Sequence, residues 1–461
     1  MGLIVLLVLA VSAIALTVWT CSKEREKKTY CKYRLLVRMA QAATVVIAMT
    51  LPFGQKWRFV PALVFLIILL VIDALIVLIG RNKAGGVQRA AGTIFSCVFF
   101  ILLTGLFLVP AFVFTGYKGL PVSGEYQIAE ARVILTDRDR VDSFEQDGSL
   151  REVPVHFYYP VVSEGSVEKF PLVVFSHGAF GYYQSNTSTY MELASNGYVV
   201  AALDHPHHAF FAEDTDGKMV IVDQEFLNEA MELTGEGSED NNTEETLAIY
   251  RKWMDLRTAD MNLAVDSLIK AGRSGELDES WYLPDNNSAV ILDVLRMMDT
   301  SKIGLMGHSM GGATSVALGR ERDDIAAVID IDGTMLSEYT GIVDGKFTAN
   351  EEPYEVPVLE FVNWEQASEL ALHIEEYRAE GRAYPNDELI RNAANGFTTT
   401  IKGTKHMDFT DLPMLSPVLG NMLGSGERDT AEVMTIVNSL VLEFYDCYLK
   451  GEGVFTVQES Y

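Results

Sequence analysis

The chain has 461 residues, 49% of them hydrophobic, and a formal net charge of −27. Residues 1–116 hold 12 Lys and Arg against 3 acidic residues, whereas residues 117–461 hold 24 against 60. A surface this acidic repels phosphate backbones, which argues against nucleic acid as a partner. Only one of the 4 cysteines, Cys447, lies in the acidic part, so that part cannot form an internal disulfide.

Residues 1–116 read as a transmembrane region of about four helices. The first apolar segment, 3–20, has 18 residues without a charge, about 27 Å as a helix and close to the thickness of a bilayer core. The other three segments are 35–51, 59–79 and 91–114. The second is the weakest, since Arg38 and Gln41 lie near its start. The third contains Asp73, which is either a functional group or a structural partner of those two side chains.

After a linker at 117–125, the pattern changes to an alternation of short apolar runs and helical patterns through residue 461. Such alternation predicts an α/β domain, with a mostly parallel sheet and helices on both faces. The first two strands form an antiparallel pair in this interpretation. The predicted strands are 128–136, 153–159, 171–176, 198–203, 303–306, 326–331, 356–362 and 397–401, and a closing helix is predicted at 430–449.

The segment 213–245 interrupts this alternation with 12 acidic residues and a single Lys218. A charged stretch of this kind is typical of a solvated insertion. The alternative is a lid, because Phe226, Leu227 and Met231 form an apolar face at helical spacing.

The strongest motif is Gly307-His308-Ser309-Met310-Gly311, which follows an apolar run and precedes a helix-forming stretch. This strand, sharp turn and helix is the context of a nucleophile elbow, in which glycines flank a serine held at strained dihedral angles. Ser309 is therefore the candidate nucleophile. The amide of Met310, the residue after it, is a candidate oxyanion donor.

A serine nucleophile needs a base and a group that orients the base. Proteins with this elbow place the acid and then the histidine after the serine, which leaves His373 and His406 as candidate bases. His373 belongs to a polar helical stretch, whereas His406 lies in a loop just past a strand, so His406 is favoured. Asp332 ends a strand, with Asp330 inside it, and Glu365 follows the next strand and remains a rival.

The second oxyanion donor should come from the loop after an early strand. The segment from Ser176 to Gly181 fits, with Gly178 permitting close approach and Ala179 offering its amide. Nearby Asp204, His205, His207 and His208 resemble metal ligands. Without a spaced carboxylate or cysteine they are better explained as a hydrogen-bonded rim of the pocket, and neither a metal nor a cofactor is implied.

Seven segments in order resemble the platelet-activating factor acetylhydrolase family, lipoprotein-associated phospholipase A2 type, within the α/β-hydrolase fold. They are REVPVHFYYP, PLVVFSHGAFG, GYVVAALDHP, KIGLMGHSMGGAT, AAVIDIDGTM, PVLEFVNWE and KGTKHMDFTD. The resemblance implies that Ser309 is the nucleophile, Asp332 rather than Glu365 the acid and His406 the base. It also implies the Ala179 and Met310 amides as the oxyanion hole, and calcium-independent hydrolysis of short or oxidised acyl esters.

The chain departs from the family in its helical anchor, its acidic insertion and its Ala179-Phe180 pair, which leaves acyl preference open. The expected protein is a membrane-anchored serine ester hydrolase acting on a small or lipid-like ester. An acyltransferase on the same fold and an inactive membrane sensor are the alternatives. The expected location is the cell membrane, multi-pass, with the catalytic domain outside the cytoplasm.

Overall fold

The computed structural model describes the chain except residues 24, 52–55, 80–85, 115–116, 118, 164–165, 235–241 and 380–383. Contacts divide it into two units. One comprises Met1–Gly119 with Leu412–Leu423, and the other comprises Leu120–Asp411 with Gly424–Tyr461.

The first unit is a helical bundle. Its helices are α1 (Gly2–Cys21), α2 (Lys27–Thr50), α3 (Val60–Ile79), α4 (Ala90–Phe107) and the short α5 (Val109–Val113), and a 3₁₀ turn at Lys56–Phe59 leads into α3. One apolar core joins the four long helices through Leu9, Val45, Phe65 and Phe100. Two short helices from late in the chain, Leu412–Leu415 and Pro417–Met422, complete the unit.

Three stretches in this unit are long and apolar enough to cross a membrane: Gly2–Cys21, Lys56–Ile79 and Ala90–Phe107. Of the four predicted segments, three correspond to helices that meet these criteria of length and composition, and α2 does not. The predicted helix at 91–114 is too long, because α4 ends at Phe107 and a separate short helix, α5, begins after Leu108. Pro110 explains the break, since proline cannot donate the helical hydrogen bond and crowds the preceding turn.

The second unit is built on a nine-stranded sheet of order β13-β12-β9-β8-β3-β4-β2-β1-β7. Six neighbouring strands, from β13 to β4, run parallel, and β2, β1 and β7 add to one edge in antiparallel fashion. The strands are β1 (Ile128–Val141), β2 (Leu150–Pro160), β3 (Phe170–Ser176), β4 (Val199–Leu203), β7 (Trp281–Tyr282), β8 (Met298–His308), β9 (Ile325–Ile331), β12 (Val358–Asn363) and β13 (Gly396–Ile401).

Two hairpins lie outside this sheet: β5 (Phe211–Glu213) with β6 (Met219–Ile221), and β10 (Tyr339–Val343) with β11 (Lys346–Ala349). The helices of this unit are α6 (Thr187–Ser195), α7 (Gln224–Thr234), α8 (Glu244–Ser274), α9 (Ser288–Met297), α10 (Met310–Glu321), α11 (Trp364–Ala379), α12 (Pro385–Asn392) and α15 (Thr430–Tyr445). The helices α13 (Leu412–Leu415) and α14 (Pro417–Met422) are the two that belong to the first unit.

Apolar side chains cover both faces of the sheet, as a parallel sheet requires. Helices α8, α9 and α10 pack on one face through residues such as Leu268 and Val294. Helices α6 and α15 pack on the other, through Leu193 and Val437. The predicted fold class and the antiparallel first pair are confirmed, and the loops after β3, β8, β9, β12 and β13 meet at the carboxyl edge of the sheet.

Candidate active site

Ser309 lies at the turn between β8 and α10, with φ 55° and ψ −127°. Its amide donates to the carbonyl of Ile331 at 2.8 Å, which ties the turn to the end of β9. The glycines are required by crowding: a Cβ on Gly307 would lie 2.2 Å from the carbonyl carbon of Gly311, and one on Gly311 1.9 Å from the oxygen of Ser176. The sequence motif therefore forms the strained turn that presents a serine at the sheet edge.

Asp332 and His406 are paired beside this turn. Oδ2 of Asp332 accepts from Nδ1 of His406 at 2.6 Å, and the aspartate side chain is fully buried while the histidine is 44% exposed. The backbone N–H of Asn363, at the end of β12, donates to Oδ1 of Asp332 at 2.6 Å. Burial raises the pKa of Asp332, but hydrogen bonds from His406 and Asn363 outweigh it and hold that pKa below its usual value. An ionised Asp332 leaves the lone pair of His406 on Nε2.

The rival acids are placed elsewhere. Glu365 forms an ion pair with Lys405 at 2.7 Å on the surface, where its side chain is 61% exposed. Asp330 is buried inside β9, and its Oδ1 accepts from the amide of Gly333 at 3.0 Å. Burial raises the pKa of Asp330 well above its usual value, which disfavours the ionised form that a catalytic acid partner of histidine needs. Of the three acids considered, only Asp332 contacts His406.

His406 begins a 3₁₀ turn, His406–Phe409, in the loop after β13. The other candidate base, His373, lies in α11, and its side chain is outside the described residues. A neighbour that the motif analysis did not assign, His308, stacks on His406 with ring centroids 4.6 Å apart. Burial, followed by the charge of His406, lowers the pKa of His308 to about 3, so it is neutral. In the described part of the chain, Ser309 and His406 share no hydrogen bond, which is common in unliganded sites.

The loop after β3 approaches the serine from the other side. A Cβ on Gly178 would lie 3.0 Å from the Cβ of Ser309. The carbonyl of Gly178 accepts from Nη2 of Arg257 at 3.1 Å, from Nδ1 of His177 at 2.6 Å and from the amide of Gly181 at 3.1 Å. In a trans peptide the N–H points opposite to the C=O. Holding this carbonyl inward therefore turns the N–H of Ala179 away from the protein interior.

Met310 supplies the other amide. It is the first residue of α10, where a helix leaves its N–H groups without intrahelical acceptors. The predicted oxyanion pair thus brackets Ser309, with Ala179 after β3 and Met310 after β8.

A buried ionic network supports the Ala179 loop from below. Asp260 of α8 accepts from Nη2 of Arg151 at 2.7 Å and from Nδ1 of His205 at 3.0 Å, and it pairs with Arg140 at 2.5 Å. Nε2 of His205 lies 2.9 Å from the hydroxyl of Ser176 at the end of β3. Burial lowers the pKa of His205 to about 3, so it is neutral and its Nδ1–H is the donor to Asp260.

Arg257, Asp260 and Arg151 were not among the residues predicted from sequence motifs. A signal was present, since Arg257 and Asp260 occupy the same helical spacing as the apolar residues Trp253 and Met261. Charged residues at core positions of a helix indicate a buried ionic network.

The four residues that resembled metal ligands contact different partners. Asp204 binds the amide of Tyr183 at 2.7 Å, and His205 belongs to the network just described. His207 stacks on Phe144 at 4.4 Å, and His208 stacks on Phe226 at 3.7 Å. His205 and His208 are buried beneath the Ala179 loop instead of forming a rim. Among the described residues, no group of three or more His, Cys, Asp or Glu side chains is arranged for a metal ion.

Helix α7 of the acidic insertion places Phe226 next to the candidate oxyanion hole. Phe226 is 2% exposed and belongs to a cluster with Trp253 and Met310, against which Ala179 and Phe180 pack. Met231, further along α7, is 63% exposed. The apolar face predicted for this segment is thus buried at Phe226 and exposed to solvent at Met231.

A solved structure has a similar fold. The ferulic acid esterase from Streptomyces cinnamoneus has a TM-score of 0.50 to this chain at 20% identity, over 72% of this chain and 93% of that one. At that identity the similarity concerns the fold alone, and this chain has the α/β-hydrolase fold.

The family is more specific. The profile of platelet-activating factor acetylhydrolase, isoform II, matches residues 150–456, which is more than half of the chain. This chain belongs to that family. It is 25% identical to the platelet-activating factor acetylhydrolase of Gallus gallus over 64% of this chain and 65% of the relative, and 26% identical to that of Cavia porcellus over 61% and 58%. The chain therefore matches somewhat less than two thirds of the length of these relatives.

Proposed function

We propose that this chain is a serine ester hydrolase that uses Ser309, His406 and Asp332. The observation that carries the proposal is the 2.6 Å hydrogen bond between His406 and buried Asp332, formed beside the strained turn of Ser309. Family membership supports it, since relatives carry the name of an ester hydrolase. Fold alone would not support an activity.

Nε2 of His406 takes the proton of Ser309 as the hydroxyl attacks the ester carbonyl. The carbonyl oxygen becomes an oxyanion, which the N–H groups of Ala179 and Met310 stabilise. His406 then gives the proton to the leaving alcohol. Water, activated by the same nitrogen, hydrolyses the acyl-enzyme, and Asp332 stabilises the imidazolium formed in each half of the reaction.

The proposed substrate is a small or lipid-like carboxylic ester, such as one with a short acyl chain. The names of the relatives support this class. So does the cluster of Phe226, Trp253 and Phe180 packed against Met310, because it fills space beside the oxyanion hole that a long acyl chain would need.

Loss of the nucleophile tests the proposal. Ser309→Ala should fold but neither hydrolyse p-nitrophenyl acetate nor label with a fluorophosphonate, because no other group forms the acyl-enzyme. Ser315→Ala, in the same helix as the elbow, is the matched control and should label normally. Labelling of Ser309→Ala at the wild-type level would refute the assignment. Transfer of the acyl group to an added alcohol in preference to water would redefine the enzyme as an acyltransferase.

We also propose that residues 1–116 form four membrane spans and that residues 126–461 form the catalytic domain, outside the cytoplasm. The geometry of the bundle supports α2 as the fourth span. The amide of Lys27 donates to the carbonyl of Gly86, and that of Gln88 to Arg25, each at 2.8 Å, so the α1–α2 and α3–α4 junctions lie at the same end. Helix α2 must then run the length of the bundle to reach α3.

Basic residues are concentrated in these two junctions. Ten positive residues lie there or in the first turns of α2, against Lys56 and Arg58 at the opposite end. The positive-inside rule places the basic end in the cytoplasm and hence the domain after α4 outside. Protease treatment of intact cells should remove a C-terminal tag. A tag that is protected until the membrane is permeabilised would mean three spans and a cytoplasmic enzyme.

A further inference from the structure

A cavity of about 340 Å³ is lined by residues of the helical bundle. Its size falls in the range of ligand pockets, roughly 300–1,000 Å³. Most of its wall is apolar and comes from three helices, including Leu16 of α1, Leu69 and Ile72 of α3, and Leu103 of α4. One side of the wall is ionic, and it carries Arg34 and Arg38 of α2 and Asp73 of α3.

The ionic wall has more positive than negative charge. Arg34 and Arg38 are four residues apart, so they share one face of α2. Asp73 pairs with Arg34 at 2.5 Å and lies 3.9 Å from Nε of Arg38. It therefore has a structural partner, as the sequence suggested, but Arg34 is the closer one. Two guanidinium groups face a single carboxylate among the charged lining residues that the structure describes, which leaves one positive charge without a counter-ion.

Their hydrogen bonding is also incomplete. Arg38 donates to Oε1 of Gln41 at 2.8 Å, and its guanidinium lies 3.6 Å from the ring centroid of Phe100. The Nε atoms of Arg34 and Arg38 are buried and have no acceptor in the described part of the chain. Buried donors of this kind require an acceptor, and an arginine fork matches the oxygens of a phosphate.

The depth of the cluster fits a lipid headgroup. Asp73 lies six residues before the end of α3 at Ile79, about 9 Å along the helix axis. That end of α3 carries the basic junctions, which the positive-inside rule places on the cytoplasmic side. Basic pockets between helices on that side suit anionic headgroups.

We propose that this cavity binds an anionic membrane phospholipid, with its phosphate between Arg34 and Arg38 and an acyl chain along Leu69, Ile72 and Leu103. The lining residues of this cavity do not include Ser309, His406 or Asp332. The cavity is proposed as a lipid-binding site and not as a second active site. The bound lipid supplies the missing counter-ion and the missing acceptors, and it links α2, α3 and α4.

Native mass spectrometry of the full-length protein in detergent tests this proposal. We expect phosphatidylglycerol to bind at least tenfold more tightly than phosphatidylcholine with the same chains. Inorganic phosphate is tested alone, because it presents the same chemistry without a chain. If it displaced phosphatidylglycerol at equal concentration, or if the two lipids bound equally, the assignment to an anionic lipid would be overturned.

Two variants change the charge of the site in opposite directions. Arg38→Gln leaves one arginine against Asp73, so phosphatidylglycerol should bind at least tenfold more weakly. Asp73→Asn leaves two arginines without a carboxylate, so binding should tighten several-fold. If Arg38→Gln failed to elute as a folded protein, Asp73→Asn would still decide: weaker or unchanged binding there contradicts the proposal.

Lys32→Gln is the matched control, because Lys32 is exposed on the same helix and does not line the cavity. It removes one positive charge and should leave lipid binding unchanged. Equal losses in Lys32→Gln and Arg38→Gln would mean general surface attraction, and the proposed site would be wrong.

Discussion

The two sides of Ser309 are supported differently. On the acid side, Asp332, Asn363 and His406 lie at strand ends or in the loops directly after them, and they contact one another. On the oxyanion side, the Ala179 loop is held by Arg257 and by the Asp260 network, which come from the middle of α8 and from β2. The contacts of the first side are made with the side chain of His406 itself, whereas those of the second reach the loop through the backbone carbonyl of Gly178.

The electrostatics differ as well. Burial raises the pKa of Asp260, but Arg151 and His205 outweigh it and hold that pKa well below its usual value, so Asp260 is a carboxylate stabilised by arginines and by a hydrogen bond from His205. Several carboxylates are buried on the acid side, among them Asp330, Asp332 and Glu360, and of these three only Asp332 bonds to His406. We therefore expect substitutions on the acid side to impair proton transfer by His406. Substitutions on the oxyanion side should instead change the orientation of the amide donors.

The largest effect is expected at Asp332. Asp332→Asn should lower kcat for p-nitrophenyl acetate by on the order of 10⁴, because an amide stabilises the wrong histidine tautomer. Glu365→Gln, which removes the rival acid on the surface, should change kcat less than about twofold, as expected for an exposed ion pair. Steady-state kinetics of both variants decide between the two acids. A crippled Glu365→Gln enzyme with an active Asp332→Asn enzyme would reverse the assignment.

Arg257 should show the next largest effect, although it is a positioning residue. Arg257→Met removes the Nη2 donor to the Gly178 carbonyl, so the amide of Ala179 is less firmly aimed. Removing one oxyanion donor outright costs about 10²–10³ in kcat, and misaiming one should cost roughly 10–10² with KM little changed.

Arg251→Met is the control for Arg257, since Arg251 is exposed on the same helix and donates to the carbonyl of Thr340. It should retain wild-type kcat. A purely structural role for Arg257 would lower the melting temperature and the yield of active protein but leave kcat per fluorophosphonate-labelled site unchanged, and that result would contradict the positioning role.

The same contrast explains what the sequence could predict. Ser309 and Asp332 directly follow strands, and Ala179 and His406 lie in the loops after strands. Local motifs therefore predicted their common edge, and the structure places them there. Asn363 and the α8 network depend on contacts between residues far apart in the chain, such as the 79 positions from Gly178 to Arg257. No local pattern specifies such a pairing, although charges at core positions of α8 indicate that some pairing exists.

Substitution of Phe226, which also lies on the oxyanion side, should change activity less than substitution of Arg257. Phe226→Ala opens space next to Met310 and Ala179, so kcat/KM for hexanoyl esters should rise about tenfold relative to acetyl esters. The truncation should also cost about 3 kcal/mol of stability, as for other buried phenylalanines. Met231→Ala, on the exposed end of α7, should change neither the acyl-length profile nor stability. An unchanged profile in Phe226→Ala would mean that this side chain does not limit acyl length.

The smallest effect is expected at Glu360, on the acid side behind Asp332. Glu360 accepts from Nδ2 of Asn386 at 2.7 Å and from the hydroxyl of Thr398 at 2.8 Å, and burial raises its pKa to about 7. In the unfolded chain its pKa returns to about 4.5. The folded state therefore holds a proton that the unfolded state releases, so stability is fully present below pH 4.5 and falls as the pH rises to about 7.

Glu360→Gln keeps the shape of the side chain and removes this titration. The difference in pKa corresponds to roughly 3 kcal/mol at most, and relaxation of the buried site reduces it. The variant should match the wild type in unfolding free energy at pH 4.5 and exceed it by about 1–3 kcal/mol at pH 8, with kcat within about twofold. Burial also raises the pKa of Asp411 to about 6, but Asp411 is present in both proteins and cancels in the difference. The charge of Glu360 contributes to the raised pKa of Asp330, so its removal in the variant acts on stability in the same direction. Denaturant unfolding of both proteins between pH 4.5 and 8 measures it. If the difference in unfolding free energy were constant with pH, Glu360 would be ionised in both the folded and the unfolded state over this range. If the variant were instead the more stable protein at low pH, the pKa of Glu360 would be shifted in the opposite direction.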